Sequence, residues 1–199
     1  RPPIGLRQAD IVVEEMVDSN RGQDDGPTVS AYQKALEIMG SVTDVDIKLL
    51  AIPGIRHAVV TDKAITTVES DRFDALYLMD PTEYDTLNVV VTSSLQNISV
   101  ANTAEACNLR GLNSNFAACY FPTGVMRNPC NGLKTEVPPS VAALGAFAFN
   151  DALSFPWFAP AGFTRGALAT TERAALNLSR GNMDTLQDEH VVWTTLLSQ

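Results

Sequence analysis

The sequence has no long hydrophobic run and few basic residues, and each shortage excludes a class of protein. The longest apolar stretch, VAALGAFAF at residues 141–149, is well short of what a membrane-spanning helix needs, about 20 residues. Lys and Arg together number 14 against 23 Asp and Glu, which gives a net charge of −9. No basic cluster is dense enough to neutralise the phosphates of a nucleic acid. We therefore expect neither membrane insertion nor nucleic-acid binding.

Phosphate-binding loops and hydrolase nucleophile motifs are also missing. No GxGxxG, GxxxxGKS/T or GxSxG pattern occurs in the chain. Ser140 and His57 could form a nucleophile–base pair, with Asp62 or Asp80 as the orienting acid. However, Ser140 also stands where the N-cap of a helix is expected, and we prefer that interpretation. The sequence therefore predicts no catalytic residue, no cofactor-binding residue and no enzymatic activity.

Patterns typical of metal sites are equally scarce. The three cysteines, Cys107, Cys119 and Cys130, show no CxxC spacing and have no histidine close by in the sequence. Reduced thiols are the simplest interpretation, and a Cys119–Cys130 bridge stays open. Acidic runs at residues 24–26 and 44–46 could contact a cation, but the spacing of a calcium-binding loop is absent. We expect no metal site.

The chain does contain alternating helical and extended segments. With 199 residues, of which 45% are hydrophobic, it can bury a substantial core. The polar residues 1–26 are interpreted as an arm, or the remnant of a preceding domain, followed by a core domain over residues 27–199. Helices are predicted at residues 27–42 and around 64–71, strands at 45–54, 74–81 and 115–122, and short apolar runs of either type at 57–62 and 86–94. This alternation predicts an α/β layered fold with a mostly parallel, twisted sheet flanked by helices.

The C-terminal half is predicted to continue the alternation. Ser140 is interpreted as the N-cap of a helix that runs through about Ala152, rich in Ala and Phe and buried almost all round. An extended segment is expected at residues 173–179, and a helix at residues 183–197.

Six segments occur in an order that is found in one known family. They are RGQDDG, DIKLLAIPGI, DALYLMDP, NFAACYFP, VPPSVAALGAFAFND and PWFAPAGFTRGAL. In this order they resemble the contractile-tail sheath proteins of phage tails, pyocins and related injection machines. The resemblance runs from about residue 21 to residue 168, although residues 88–112 depart from the pattern. The chain also stops before the family's usual C-terminal region, so we expect a fragment of the subunit.

The resemblance implies a structural function in a phage tail. Sheath subunits stack as hexameric rings around the tail tube and contract on a signal from the baseplate, which drives the tube through the host envelope. Arms that add strands to neighbouring sheets join the subunits. The implied location is the virion, after assembly in the cytoplasm of the host bacterium. We expect the 199 residues alone to be monomeric, because the C-terminal region that exchanges arms is absent.

The segment FPWFAPAGFTRG, residues 155–166, combines aromatic residues with prolines and glycines. Prolines exclude a regular helix or central strand here, and an apolar loop requires a partner surface. We favour a plug that seals one end of the sheet, with Trp157 and at least one of Phe158 and Phe163 largely buried. The alternatives are an exposed patch that contacts a neighbouring subunit or the tube, and a small-molecule site.

Two other classes of function stay open. An α/β hydrolase-like enzyme would show a pocket that gathers titratable groups with shifted pKa values. A ligand-binding or adaptor domain would show a deep apolar cleft.

Overall fold

The computed structural model describes residues 27–193, apart from residues 82–97 and the single positions 129, 154, 156, 169 and 190. The predicted arm at residues 1–26 and the apolar run at 86–94 therefore lie outside the described residues, as do the last six positions.

Helices and strands alternate along the described chain. The helices are α1 Pro27–Met39, α2 Ala58–Thr66, α3 Val100–Arg110, α4 Pro139–Leu153, α5 Gly162–Arg165 and α6 Arg180–Asp188. The strands are β1 Leu49–Ala51, β2 Leu76–Met79, β3 Ala117–Phe121, β4 Gly124–Arg127, β5 Lys134–Val137, β6 Thr171–Ala174 and β7 Val192–Trp193. Helix α2 continues directly into a π-helical turn, Thr67–Arg72.

A parallel sheet in the order β1-β2-β3-β7 forms the centre of the fold. Tyr77 and Met79 of β2 belong to a buried cluster that includes residues of α1 and α2. Leu78 alternates with them and therefore projects to the other face of the strand, where it is 1% exposed. Helix α4 contacts β1, β2 and β3. The predicted α/β fold with a parallel sheet is confirmed.

A second sheet was not predicted. Strands β5, β4 and β6 form it in that order, and both pairings are antiparallel. A turn closes the hairpin between β4 and β5, where the Asn128 N–H donates to the carbonyl oxygen of Leu133 at 2.9 Å. The sequence does not predict this sheet, because β5 and β6 carry several charged residues and lack the apolar run that indicates a buried strand.

A buried arginine fixes the entry into β2. Arg72 is 4% exposed and donates to the carbonyl oxygens of Met39 at 2.7 Å and Val45 at 2.8 Å. Its Nε lies 3.1 Å from Oδ1 of Asp74. The guanidinium group thereby joins the end of α1, the following loop and the approach to β2.

Several predicted boundaries and types differ from the structure. The apolar run at residues 57–62 is mostly helical and forms the start of α2. The extended segment predicted at residues 173–179 corresponds to β6, which begins and ends a few residues earlier. The predicted C-terminal helix ends at Asp188, and β7 follows it. Residues 100–110 form a helix that the sequence did not predict, because its mean hydropathy is low and its apolar pattern weak.

Helix α4 differs from the prediction at its start and in its burial. The helix begins at Pro139, so Ser140 lies in the first turn rather than at the N-cap. Val141, Phe149 and Leu153 are exposed, so the helix is not buried all round. A helix with apolar residues on every face can bury only the face that meets the sheet, and here the rest stays open. Within the described parts of the chain, no helix has the length and apolarity to cross a membrane.

Candidate interaction surface

The segment after α4 presents aromatic side chains to solvent. Phe155 is 59% exposed, Trp157 75% and Phe158 42%. The predicted plug is therefore wrong for Trp157 and Phe158, and the side chain of Phe163 lies outside the described residues. The physical reason is the path of the chain: it leaves α4 at the exposed Leu153 and stays at the surface. The three described aromatic residues and Arg165 are called the aromatic surface below.

The side chains of the aromatic surface are ordered against each other. The rings of Phe155 and Trp157 stack with centroids 4.8 Å apart and planes 2° from parallel. Phe158 lies at 6.2 Å from Phe155, and the guanidinium carbon of Arg165 lies 4.6 Å from the centroid of the Phe158 ring. Aromatic stacking and a cation–π contact both stabilise such a group beyond the burial of area.

A buried asparagine of α4 holds this segment through a hydrogen bond to its backbone. Asn150 of α4 is 2% exposed, and its Nδ2 donates to the carbonyl oxygen of Phe158 at 2.9 Å. The Phe158 N–H donates to the carbonyl oxygen of Phe155 at 3.0 Å, which closes a turn. The segment is therefore held in place by the helix, while its rings point outward.

Two further apolar side chains near the end of α4 are exposed. Phe149 is 43% exposed and Leu153 61%, and their spacing of four residues places them on one side of the helix. Contiguous exposed apolar groups mark an interaction site more often than isolated ones do. The signal for this area in the sequence is a helix with more apolar residues than one buried face can hold.

The proposed nucleophile–base pair is not formed. Ser140 is fully buried, and its hydroxyl donates to Oδ2 of Asp80 at 2.8 Å. Asp62, the other candidate orienting acid, pairs with Arg110 instead. His57 is half-buried at the N-cap position of α2. Ser140 and Asp80 therefore form a structural contact between a helix and a strand.

The candidate cation ligands are held by other partners. Asp44 accepts from the Ser41 hydroxyl at 2.7 Å, and Asp46 pairs with Lys48 at 3.5 Å. Across the described ranges, no three His, Cys, Asp or Glu side chains are grouped in a way that would hold a metal ion. The acidic run at residues 24–26 lies outside the described residues.

The contact between cysteines is not the Cys119–Cys130 bridge that the sequence left open. The thiol of Cys119 forms a hydrogen bond with Cys107, and not with Cys130. Cys130 is exposed, in the turn between β4 and β5. A Cys119–Cys130 bridge is therefore excluded in this structure, because all three cysteines are free thiols.

Comparison with known proteins gives one distant relative. The chain matches no family model. Over 172 residues it is 23% identical to the tail sheath protein of Enterobacteria phage T4. The matched region covers 82% of the chain and 26% of the phage protein, so the chain spans about a quarter of that relative's length.

Proposed function

We propose that the chain forms part of a structural subunit of a contractile phage tail sheath and has no enzymatic function. The observation that carries this proposal is the similarity to a tail sheath protein over 82% of the chain. It agrees with the order of the six segments that resemble the sheath family. The proposed location is the tail of the virion, and the proposed place of assembly is the cytoplasm of the host bacterium.

The body of the fold suits a subunit that moves without deforming. A parallel sheet is tied to α4 through Asp80 and to α1 through the buried Arg72. Buried charged groups whose hydrogen bonds are satisfied make a local structure stiff and specific. We propose that such subunits form stacked hexameric rings around the tail tube and contract as rigid bodies on a signal from the baseplate.

We propose that the aromatic surface contacts a neighbouring sheath subunit. Exposed Trp157 and Phe155 provide the kind of rigid apolar anchor that dominates protein interfaces. The chain carries a net charge of −9, so another copy of it presents mostly negative charge. Arg165, beside the rings, therefore adds a favourable charge for association between copies.

Electron microscopy of the protein expressed from its complete reading frame tests this proposal. We expect tubular polymers with a striated helical lattice. Trp157→Ala should abolish or strongly reduce them, while Leu109→Ala, which removes a side chain 79% exposed on α3, should leave them unchanged. Circular dichroism would verify that both variants are folded.

The possible outcomes separate the two parts of the proposal. Absence of any tubular polymer from the folded wild-type protein would contradict the sheath function. Normal tubes from Trp157→Ala would keep the sheath function and remove the aromatic surface as the contact between subunits.

A further inference from the structure

A cleft of about 450 Å³ brings two cysteines together away from the aromatic surface. Cys107 of α3 and Cys119 of β3 both line it, with Asn108 and Leu112 from the region of α3 and Glu189 from the end of α6. The cleft is open to solvent on one side, so a small reagent can reach its lining. Neither the contact at Asp80 nor the proposed assembly uses it.

The two thiols are in direct contact. A hydrogen bond joins Cys107 and Cys119, and both residues are half-buried. Both also pack against the buried cluster that includes Phe121 and Leu186. This packing holds the two sulfur atoms side by side, although one lies on a helix and the other on a strand.

The surroundings shift the pKa values of the two thiols in opposite directions. The pKa of Cys107 is lowered, first by the hydrogen bond from Cys119 and also by the positive charge of Arg110, while burial and Glu189 oppose this. The pKa of Cys119 is raised well above its ordinary value, by the same hydrogen bond, by burial and by the charges of Cys107 and Asp80. A single negative charge on the pair is therefore placed on Cys107.

We propose that the cleft is a thiol-modification site in which Cys107 reacts with a small organic disulfide and Cys119 then closes an intramolecular disulfide. The substrate class is a low-molecular-weight disulfide such as oxidised glutathione. The thiolate is the attacking form of a cysteine, and an adjacent second thiol resolves the first product. The proposal is independent of the sheath function, because it rests on the cleft and its two cysteines alone.

The reaction balances in two exchange steps. The Cys107 thiolate attacks one sulfur of oxidised glutathione, the S–S bond breaks, and one glutathione thiolate leaves and takes up a proton. Cys119 then loses its proton to water and attacks the Cys107 sulfur, which releases the second glutathione as a thiolate. Two cysteine thiols are oxidised to one disulfide, and one molecule of oxidised glutathione is reduced to two of glutathione. The product links α3 covalently to β3.

Mass spectrometry after incubation with oxidised glutathione tests the site. The 199-residue chain with Cys130→Ser is used, so that the exposed third thiol does not contribute. After N-ethylmaleimide blocks the remaining thiols, we expect the loss of two hydrogen atoms from the protein and a cross-linked peptide pair containing Cys107 and Cys119. Addition of Cys119→Ser should trap a stable glutathione adduct on Cys107. Addition of Cys107→Ser should abolish the disulfide and leave Cys119 unmodified.

Two results would overturn the proposal. One is the absence of the cross-linked peptides from the folded Cys130→Ser chain, and the other is a glutathione adduct on Cys119 in place of Cys107. A second measurement needs no substitution within the cleft. In a short pulse of N-ethylmaleimide on the wild-type chain, Cys107 should be labelled before Cys119, and equal labelling of the two would also contradict the assignment.

Discussion

The carboxylate of Asp80 accepts both the backbone N–H and the hydroxyl of Ser140, each at 2.8 Å, although the two residues are 60 positions apart. Asp80 directly follows β2, and Ser140 lies in the first turn of α4. The same carboxylate accepts the backbone N–H of Gly54, after β1, at 2.8 Å. One buried acid therefore joins the carboxyl ends of two neighbouring strands to the start of a helix, where a negative charge is favourable.

We expect Asp80→Ala to be among the most destabilising substitutions in the chain. It leaves two backbone N–H groups without an acceptor, and each costs ~1–3 kcal/mol of unfolding free energy. Ser140→Ala removes only the hydroxyl contact and should cost about 1 kcal/mol. Urea unfolding measures both, with the exposed Asp151→Asn on α4 as the matched control. An Asp80→Ala protein as stable as that control would contradict the structural importance of the contact.

Arg72 should be irreplaceable by lysine. Its guanidinium group donates to two carbonyl oxygens in different directions, at Met39 and Val45, and a lysine ammonium group cannot reproduce that planar arrangement. Arg72→Lys should lower the unfolding free energy by roughly 2 kcal/mol or more, because buried carbonyl groups lose their donors. The control is Arg127→Lys, whose ion pair with Glu172 is exposed. If both substitutions shift the denaturant midpoint equally, the hydrogen bonds of Arg72 do not stabilise the chain before β2.

The contribution of Asp74 should depend on pH. Hydrogen bonds from Lys48 and then Arg72 hold the pKa of Asp74 below its ordinary value of 3.8. A carboxyl group with a lower pKa in the folded state stabilises the fold above its unfolded pKa, and this is lost as pH falls through the folded pKa. Asp74→Asn should therefore melt at a lower temperature than the wild type at neutral pH, with the difference shrinking in acid. Asp46→Asn, which removes an exposed and longer ion pair with Lys48 at 3.5 Å, is the control. A difference in melting temperature that grows as pH falls would contradict the stabilising role of the Asp74 carboxylate.

The sequence predicted the central sheet well because its strands have a strong local signal. β1, β2 and β3 are apolar runs that end at prolines or Asp-Pro, and each was placed within its predicted segment. Three elements had no such signal. β5 and β6 are polar, and α3 has no continuous apolar side. They are stabilised by tertiary contacts, which local patterns do not contain.

The candidate sites depend on the path of the chain in space, and the sequence does not specify that path. An aromatic loop with prolines favours a buried plug when the sequence is considered alone, and Trp157 is exposed because the segment stays at the surface after α4. The contact of Cys119 with Cys107 likewise requires the packing of α3 against β3. In contrast, Asp80 after β2 is apparent in the sequence. Its contact with Ser140 is not, because the sequence predicts that Ser140 caps its own helix.

We expect Trp157→Ala to leave the stability of the isolated chain almost unchanged. A side chain that is 75% exposed loses little buried area, and surface substitutions usually stay within about 0.5 kcal/mol. Phe121→Ala is the comparison, because the fully buried Phe121 should cost ~3–5 kcal/mol. Thermal melts of the wild type, Trp157→Ala and Phe121→Ala distinguish an exposed Trp157 from a buried one. A fall in melting temperature for Trp157→Ala similar to that for Phe121→Ala would restore the plug interpretation.

Two glycine-to-alanine substitutions should shift stability in opposite directions. A Cβ at Gly166 would lie 2.7 Å from the carbonyl oxygen of Pro160 and 3.0 Å from the Cα of Ala161. Both are backbone atoms, so the loop itself must move, and overpacking of this kind costs roughly 1–3 kcal/mol. Gly145 is exposed within α4, and a Cβ there meets no heavy atom within 4 Å. Gly145→Ala should therefore stabilise the chain by about 0.5–1 kcal/mol, because alanine favours the helix over glycine.

Denaturant unfolding gives both values, and tryptophan emission in a Trp193→Phe background, where Trp157 is the remaining tryptophan, adds a local readout. Gly166→Ala should change that emission, since Gly166 packs against the Pro160–Ala161 backbone of the loop that carries the aromatic surface. Gly145→Ala should leave the emission as it is in the wild type. If Gly166→Ala is as stable as the wild type with the same emission, Gly166 does not pack closely against the backbone of this loop. The order of the aromatic surface would then have to come from its ring contacts alone.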